Sequence, residues 1–486
     1  MSAVGNRALE RGGASRVAIV GGGLAGLATA VALADSRTQH ESNGRCLTIE
    51  LFESRRMLGG RATSYRDPET GELIDNCQHV SLGCCTNFDD FCRRTGIDGL
   101  FACETALNFV GPNGCPNAVR RSAWLPAPLH LAPSLLRLDY LTWRERLAVA
   151  AALRRLAGST TCDAAPHLSM GQWLRQAGQS DRAIELFWSP VIVSALSEDV
   201  DRASCAAGRK VFVDAFLRHK QGYEMKVPTV ALRTLYDEYL VRWMEQRGVK
   251  LHLGTEVRAI ETTDYQASSL VFTNGDRQAF DFVCVATPWF RIGEMFDHEL
   301  AKRLTFLGEL KHFEQAPITS VHLWCNQKLR FRFRHAVLPG RFSQWIFDRT
   351  NRSSSPYYQV VISASREVAS MSRGEVIARV CRDLQELFGE PVSDALTAAK
   401  VITEHRAVFS PTAEVDKYRP SQRTPVPKLF LAGDWTATGW PATMEGAVRS
   451  GYLAAEALLE TLGSKERILK ADLAAAPLAR WLLGVR

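Results

Sequence analysis

The motif Gly21-x-Gly23-x-x-Gly26 follows directly on the apolar run of residues 16–20 and opens into the small-residue run of 27–34. These residue types at this spacing suit a dinucleotide pyrophosphate. Glycine at 21 permits a tight turn, glycine at 23 lets backbone approach phosphate, and glycine at 26 lets a helix close on the strand. The N-terminus of that helix offers free N–H groups and the positive end of a dipole to the phosphates, and Leu24 and Ala25 join the glycines as cofactor-binding candidates. A second apolar run, residues 46–53, ends in Glu53, whose carboxylate can accept both hydroxyls of an adenosine ribose. Glu53 comes later than the roughly 20 residues usual for such a fingerprint, and the polar insertion at 36–45 accounts for the excess. Gly59-Gly60-Arg61 comes next. Two glycines let the chain fold over the pyrophosphate, and a guanidinium neutralises it through paired hydrogen bonds.

The elements that must position these residues recur at the other end of the chain. Residues 428–432 read as a short apolar strand leading into Gly433-Asp434, and Thr443-Met444 opens a helix. With Arg56-x-x-Gly59-Gly60-Arg61, these features resemble the amine-oxidase and phytoene-desaturase superfamily of flavoproteins. The resemblance implies FAD and an α/β fold, with a Rossmann-type FAD-binding domain interleaved with a mixed α+β substrate domain. It implies that Asp434 binds the ribityl–pyrophosphate region and that the helix N-terminus at Thr443 and Met444 faces the flavin. A helix dipole there stabilises negative charge on the reduced ring. It also implies that backbone within 254–257, at Val257, contacts adenine, and that 281–287 is the return strand of the same domain.

A narrower resemblance rests on Ile74-Asp75-Asn76-Cys77-Gln78-His79, the run from Gly433 to Thr443, residues 125–131 and 343–349, and Arg406-Ala407-x-Phe409. Together they are similar to the hydroxysqualene dehydroxylase family, the squalene-associated FAD-dependent enzymes, over nearly the whole chain. Cys77 stands where that family more often has glycine, and the 36–45 insertion is additional. The family implies reductive removal of an allylic hydroxyl from a thirty-carbon polyprene, with an external electron donor for the flavin. His79 is the first candidate acid, because histidine titrates near neutrality and the resemblance puts this segment beside the flavin. Asp75 and Gln78 are candidates to orient it or hold a water. Alternatives are a phytoene-type desaturase, another oxidase of the superfamily, and a prenyl-binding escort protein that has lost catalysis.

The 486 residues carry 59 Lys and Arg against 52 Asp and Glu, and 46% are hydrophobic, which excludes disorder, collagen and coiled coil. The net charge of +7 is concentrated in two stretches. Residues 119–158 hold seven arginines against Asp139 and Glu145, and residues 463–486 hold Lys465, Arg467, Lys470, Arg480 and Arg486 against Glu466 and Asp472. Both stretches are also apolar, which favours a membrane surface over nucleic acid. The uncharged run 17–34 mimics a signal peptide, but its four glycines fit a strand, turn and helix better. The expected location is the cytoplasm, peripheral on the membrane face. Of the twelve cysteines none in the 77–115 cluster has Cys-x-x-Cys spacing, so no metal site is expected and free thiols are.

Residues 1–90, 245–295 and 415–465 are expected to form the FAD-binding domain, 91–244 and 296–414 the substrate domain, and 466–486 a basic amphipathic end. In the substrate domain Val149, Leu153 and Leu156 share one helical face, whereas 319–324, 343–347 and 357–363 read as strands. Trp124, Trp143, Trp173, Trp188 and Trp324 suit either an apolar tunnel or an ordinary core.

Overall fold

The computed structural model describes residues 15–41, 47–158, 167–263, 266–389 and 391–485. Ser15–Val20 pairs in parallel with Leu47–Glu53 on one side and Phe282–Val285 on the other. Lys250–Leu253 extends the sheet past Leu47–Glu53, and Leu429–Leu431 extends it past Phe282–Val285, again in parallel. An all-parallel sheet needs cover on both faces, and alternate residues meet it. Val17 and Ile19 join a core with Leu27, Val31 and Tyr452, whereas Ala18 and Val20 join one with Phe272, Val283 and Leu431. The first face carries the helices Leu24–Glu41 and Met444–Thr461. They pack so closely that a Cβ on Gly451 would stand 2.4 Å from the Ala25 carbonyl oxygen. The first of these helices runs on to Glu41, so part of the polar insertion lengthens it; residues 42–46 lie outside the described residues. The second face carries an antiparallel meander of Val257–Thr263, Gln266–Phe272 and Arg277–Ala279.

A second sheet runs in the order Leu396–Phe409, Gln315–Cys325, Tyr357–Ser363, Trp345–Asp348, His335–Val337, Ala106–Val110, Pro116–Arg120. Its β-branched and aromatic residues suit a pleated surface covered on both sides. Tyr358, Val360 and Ile362 pack with Val376, Val380 and Leu384 of the helix Arg373–Phe388. That helix starts at a capping box of Ser372 and Glu375 and stops at Gly389 in the left-handed region. Val361, Trp345 and Phe347 turn the other way, toward Leu107 and Phe109. A helical layer, including Trp143–Gly158, Ser189–Leu196 and Cys205–Lys210, gathers around Trp173, Trp188 and Phe212.

The packing crosses the boundaries that the sequence suggests. The core under the parallel sheet takes in Phe91, Ile97 and a run from Leu232 to Met244. The C-terminal stretch is built into the fold: Ile468 is buried in that same core, and the helix Pro477–Leu483 seats Ala479 and Leu483 beside Ala157 and Val213. Trp173, Trp188 and Trp324 are core residues, and Trp124 and Trp143 are exposed. Cys77, Cys84, Cys92, Cys284, Cys325 and Cys381 are buried free thiols, as small hydrophobes should be; Cys205 departs from the expectation in being disulfide-bonded. Among the described residues no helix is long and apolar enough to cross a membrane.

Candidate functional site

The turn after the first strand is built from backbone. Gly21 donates its N–H to the Phe52 carbonyl at 2.8 Å and sits at a φ of 116°, where a Cβ would stand 2.6 Å from the Ala286 oxygen. A Cβ on Gly26 would stand 1.9 Å from the Gly21 oxygen, so glycine at 26 is what lets the helix close on the turn. Gly23 differs: its nearest neighbour would be the Gly60 Cα at 3.9 Å, which leaves its backbone open to a ligand. Gly59 donates to the Gly22 carbonyl at 2.9 Å, and with Gly60 it folds over the motif in the left-handed region. Glu53 braces this assembly. Its Oε2 accepts from the Gly22 N–H at 2.7 Å, and its Oε1 accepts from the Arg55 N–H and the Ser54 hydroxyl. Three of the roughly four acceptor positions of a carboxylate are thereby taken, which leaves room for one ribose hydroxyl instead of the expected two.

Arg61 and Asp434, both expected against the pyrophosphate or ribityl chain, are paired with each other. Arg61 Nη2 donates to Asp434 Oδ1 at 2.7 Å, and Nη1 donates to the Ala407 carbonyl at 2.7 Å. Burial opposes the charge on Arg61, and the Asp434 carboxylate outweighs that and keeps the guanidinium protonated. Thr443 caps the helix Met444–Thr461, its hydroxyl accepting from the Gly446 N–H at 3.1 Å. The helix therefore begins beside the site with its remaining N–H groups free of helical partners.

A cavity of about 930 Å³ joins these parts. Gly21, Gly23, Leu24, Ala25, Glu53, Gly59, Gly60, Arg61, Val257, Gly433, Asp434, Thr443 and Met444 line it, and Gly26, packed on the Gly21 carbonyl, does not. The cavity continues into an apolar chamber lined by Leu107, Phe109, Val191, Phe216, Ile318 and Val337. None of the five tryptophans singled out from the sequence lines it; Trp345, Trp435 and Trp440 do.

Gln78 and His79 line the cavity; Asp75 does not. His79 Nδ1 lies 3.0 Å from the Cys77 carbonyl. A carbonyl only accepts, so Nδ1 carries the proton and Nε2 is the free position. Burial pushes the His79 pKa below its ordinary value. Asp75 cannot orient this ring, because its carboxylate is engaged elsewhere. It accepts from Ser64 Oγ at 2.6 Å, from the Leu232 N–H at 3.0 Å and from Arg352 Nη1 at 2.6 Å. Burial would raise its pKa, and Arg352 with these hydrogen bonds outweighs burial and holds the carboxyl below the usual range. Gln78 donates its Nε2 to the His79 carbonyl at 3.2 Å, leaving Oε1 buried without a partner. Burial pushes the Cys77 thiol up to about 12, so Cys77 meets the cavity as a neutral thiol.

Two cavity residues, Trp435 and Glu445, were given no role of their own in the sequence reading. Trp435 sets the path of Gly433, where a Cβ would stand 2.3 Å from the indole nitrogen; the Gly-Asp-Trp adjacency was the available signal. Glu445, in the first turn of the Thr443-capped helix, accepts from the Asn87 and Phe88 N–H groups, and burial still raises its pKa. Nothing in its local sequence sets it apart from a solvated helical glutamate.

The unbranched backbone at Gly21, Gly23 and Gly59, the helix terminus and the cation at Arg61 fit a dinucleotide that ends in an apolar chamber, as FAD requires. The family profile for flavin containing amine oxidoreductase matches residues 24–459. The 15-cis-phytoene desaturase of Solanum lycopersicum is 26% identical over 466 residues, 91% of this chain and 77% of that protein. The hydroxysqualene dehydroxylase of Zymomonas mobilis is 26% identical over 450 residues, 91% of this chain and 98% of that protein. Among solved structures, the cyclohexylamine oxidase of Brevibacterium oxydans shares the fold with a TM-score of 0.65 at 17% identity, covering 93% of this chain and 100% of that one. The chain belongs to the flavin containing amine oxidoreductase family and is an FAD-dependent oxidoreductase.

Proposed function

We propose that the chain reductively removes the allylic hydroxyl of hydroxysqualene to give squalene. In this reading Gly21, Gly23, Leu24, Ala25, Gly26, Glu53 and Val257 hold the adenosine and pyrophosphate end of FAD. Gly59, Gly60, Arg61, Gly433, Asp434, Thr443 and Met444 hold the rest. The observation that carries the proposal is the continuity of this cradle with a chamber whose walls include Leu107, Phe109, Val191, Phe216, Ile318 and Val337. Such walls accept a long hydrocarbon and exclude water from the reacting carbon. The near-complete span of the Zymomonas hydroxysqualene dehydroxylase adds support.

When bound, FAD supplies in reduced form the hydride that takes the place of the departing hydroxyl, and an external electron donor renews it. His79 is the proposed proton source, acting from Nε2, and the hydroxyl leaves as water. Because Nδ1 is committed to the Cys77 carbonyl and burial favours the neutral ring, the proton on Nε2 must be taken up before each turnover. Turnover is therefore expected to rise as pH falls from about 6.5, the ordinary histidine value, through the lowered pKa of His79. A His79→Ala protein that keeps its flavin and full turnover would remove the assignment.

The deciding experiment is anaerobic. Photoreduced protein is mixed with hydroxysqualene, or with phytoene as control, and flavin reoxidation and product mass are followed. Squalene formed in step with reoxidation supports the proposal, and inertness toward hydroxysqualene overturns it. A second reading, oxidation of a hydrocarbon polyprene, draws on the equal 26% identity of the tomato desaturase. It requires that oxidised protein be bleached by phytoene.

We further propose that the protein works on the cytoplasmic membrane face. Trp124, Trp143 and Trp481 are 92%, 63% and 80% exposed, and Arg120, Arg121, Arg137, Arg144 and Arg480 are exposed in the same segments. Apolar rings among cations suit an anionic bilayer.

A further inference from the structure

A separate pocket of about 530 Å³ lies beside Pro116–Arg120, the edge strand of the second sheet. Arg120, Arg121 and Arg137 line it, together with Ser122 and Ser134. The fold sets Arg120 and Arg137 side by side. Ser134 Oγ accepts from the Arg120 N–H at 3.1 Å and donates to the Arg120 carbonyl at 2.8 Å, and the Ser134 carbonyl accepts from the Arg137 N–H at 3.1 Å. Both backbones are thus tied to one residue, and both arginines are exposed. Among the described residues neither the Arg120 nor the Arg137 guanidinium has a hydrogen-bond or ion-pair partner. The acids nearby are engaged. Glu224 pairs with Arg121 at 2.7 Å, and Asp139, which does not line the pocket, accepts from the Asn117 amide at 2.8 Å. Ser122 Oγ accepts from the Trp124 and Leu125 N–H groups, so its own proton is still to be donated. Burial first, and then the charges of Lys220, His219 and Arg121, push His130 down to about 4, which marks the positive field around the pocket.

We propose that this pocket seats the phosphate of an anionic phospholipid headgroup. Two planar guanidinia grip phosphate oxygens as forks, whereas ammonium groups bind them as point charges, and the Ser122 hydroxyl supplies a third kind of donor. The rim identifies the phosphate as a lipid's. Trp124, two residues beyond Ser122, is exposed, and so are Leu129 and Leu136, the latter next to Arg137. A free phosphate gives these apolar side chains nothing to bury against, whereas a bilayer takes indole rings at the depth of its headgroups. The same segment also faces inward. Leu131, Leu135 and Leu138 pack with Leu107, Phe109 and Val337, which wall the apolar chamber. A headgroup held by Arg120 and Arg137 therefore keeps that wall against the membrane. This assignment rests on the proposed work at a membrane face, and it adds a built seat for one headgroup where that reading has only dispersed charge.

The test is flotation of the FAD-loaded full chain with phosphatidylcholine vesicles that carry phosphatidylglycerol. Arg120→Gln with Arg137→Gln is expected to weaken binding about 25-fold, fivefold for each cation, at an unchanged melting temperature because both side chains are exposed. Arg242→Gln removes an exposed cation from the helix Leu240–Gln246, which packs on the parallel sheet, and is expected to bind as wild type does. Arg120→Lys with Arg137→Lys separates a seat from diffuse charge. It keeps both charges and loses both forks, and it is expected to stay about fivefold weaker than wild type. A lysine pair or a glutamine pair that binds like wild type overturns the seat. Inorganic phosphate titrated in without vesicles is expected to bind about 100-fold more weakly, because it forgoes the simultaneous apolar contacts. Equally tight binding makes this a site for a soluble phosphate and overturns the lipid. If wild type floats with no vesicle, the membrane reading fails along with the seat; if the variants all float like wild type, the seat alone fails.

Discussion

Asp75 and His79 are four residues apart and their environments set them to different tasks. Asp75 is a buried counter-charge for Arg352, and removing one partner of such a pair leaves the other uncompensated. Asp75→Asn is expected to lower stability by about 3–5 kcal/mol, read from the urea midpoint, and to leave the shape of the turnover–pH profile intact. The folded pKa of Asp75 lies below its unfolded value, so the wild-type advantage is present at neutral pH and fades as pH falls through the lowered pKa. The glycines separate in the same way. Gly26→Ala, with 1.9 Å available for its Cβ, should yield little folded protein. Gly23→Ala should fold with an unchanged apoprotein melting temperature and purify with less bound flavin by absorbance. Gly26 was legible in the sequence because it answers to the Gly21 carbonyl five positions before it. Asp75 was not, because its partner stands 277 positions downstream.

The helix Met444–Thr461 shows what local sequence can say about an element and what it leaves out. Its start was readable from Thr443, a side chain that accepts from the third residue of the helix. Thr443→Ala should cost about 1 kcal/mol by thermal melting, and Thr443→Ser should restore most of it. Its burial was not readable, since Gly451 against Ala25 depends on a helix more than 400 positions earlier. The same holds for the run from Leu232 to Met244, whose apolar spacing marks a helix but carries no sign of which sheet it will cover. The strands were read well because a continuous apolar run of five to seven residues has one way to be buried on both sides.

At the scale of the molecule, basic and apolar side chains are presented from a helix packed onto the body. Helix Pro477–Leu483 is anchored by Ala479 and Leu483, so Arg480 and Trp481 are presented from a fixed support and not from a loose tail. Arg480→Glu should weaken sedimentation with anionic vesicles about fivefold per charge removed, and salt should have a similar effect. Replacing Trp124, Trp143 and Trp481 by Ser should weaken binding to neutral vesicles as well. Unchanged binding in both sets would exclude this face.

The ion pair that links the two ends of the cradle also orders events in time. Arg61 and Asp434 are 373 residues apart, so at roughly 5–20 residues per second a ribosome makes the carboxylate about 20–75 s after the guanidinium. The last strand of the parallel sheet and the capped helix arrive in the same late interval. Until then the nascent chain has the glycine turn but neither the counter-charge nor the edge that closes the sheet. On the proposed assignment of Asp434 to the flavin, cofactor capture waits for these late elements, and chains arrested before residue 434 are expected to emerge without flavin.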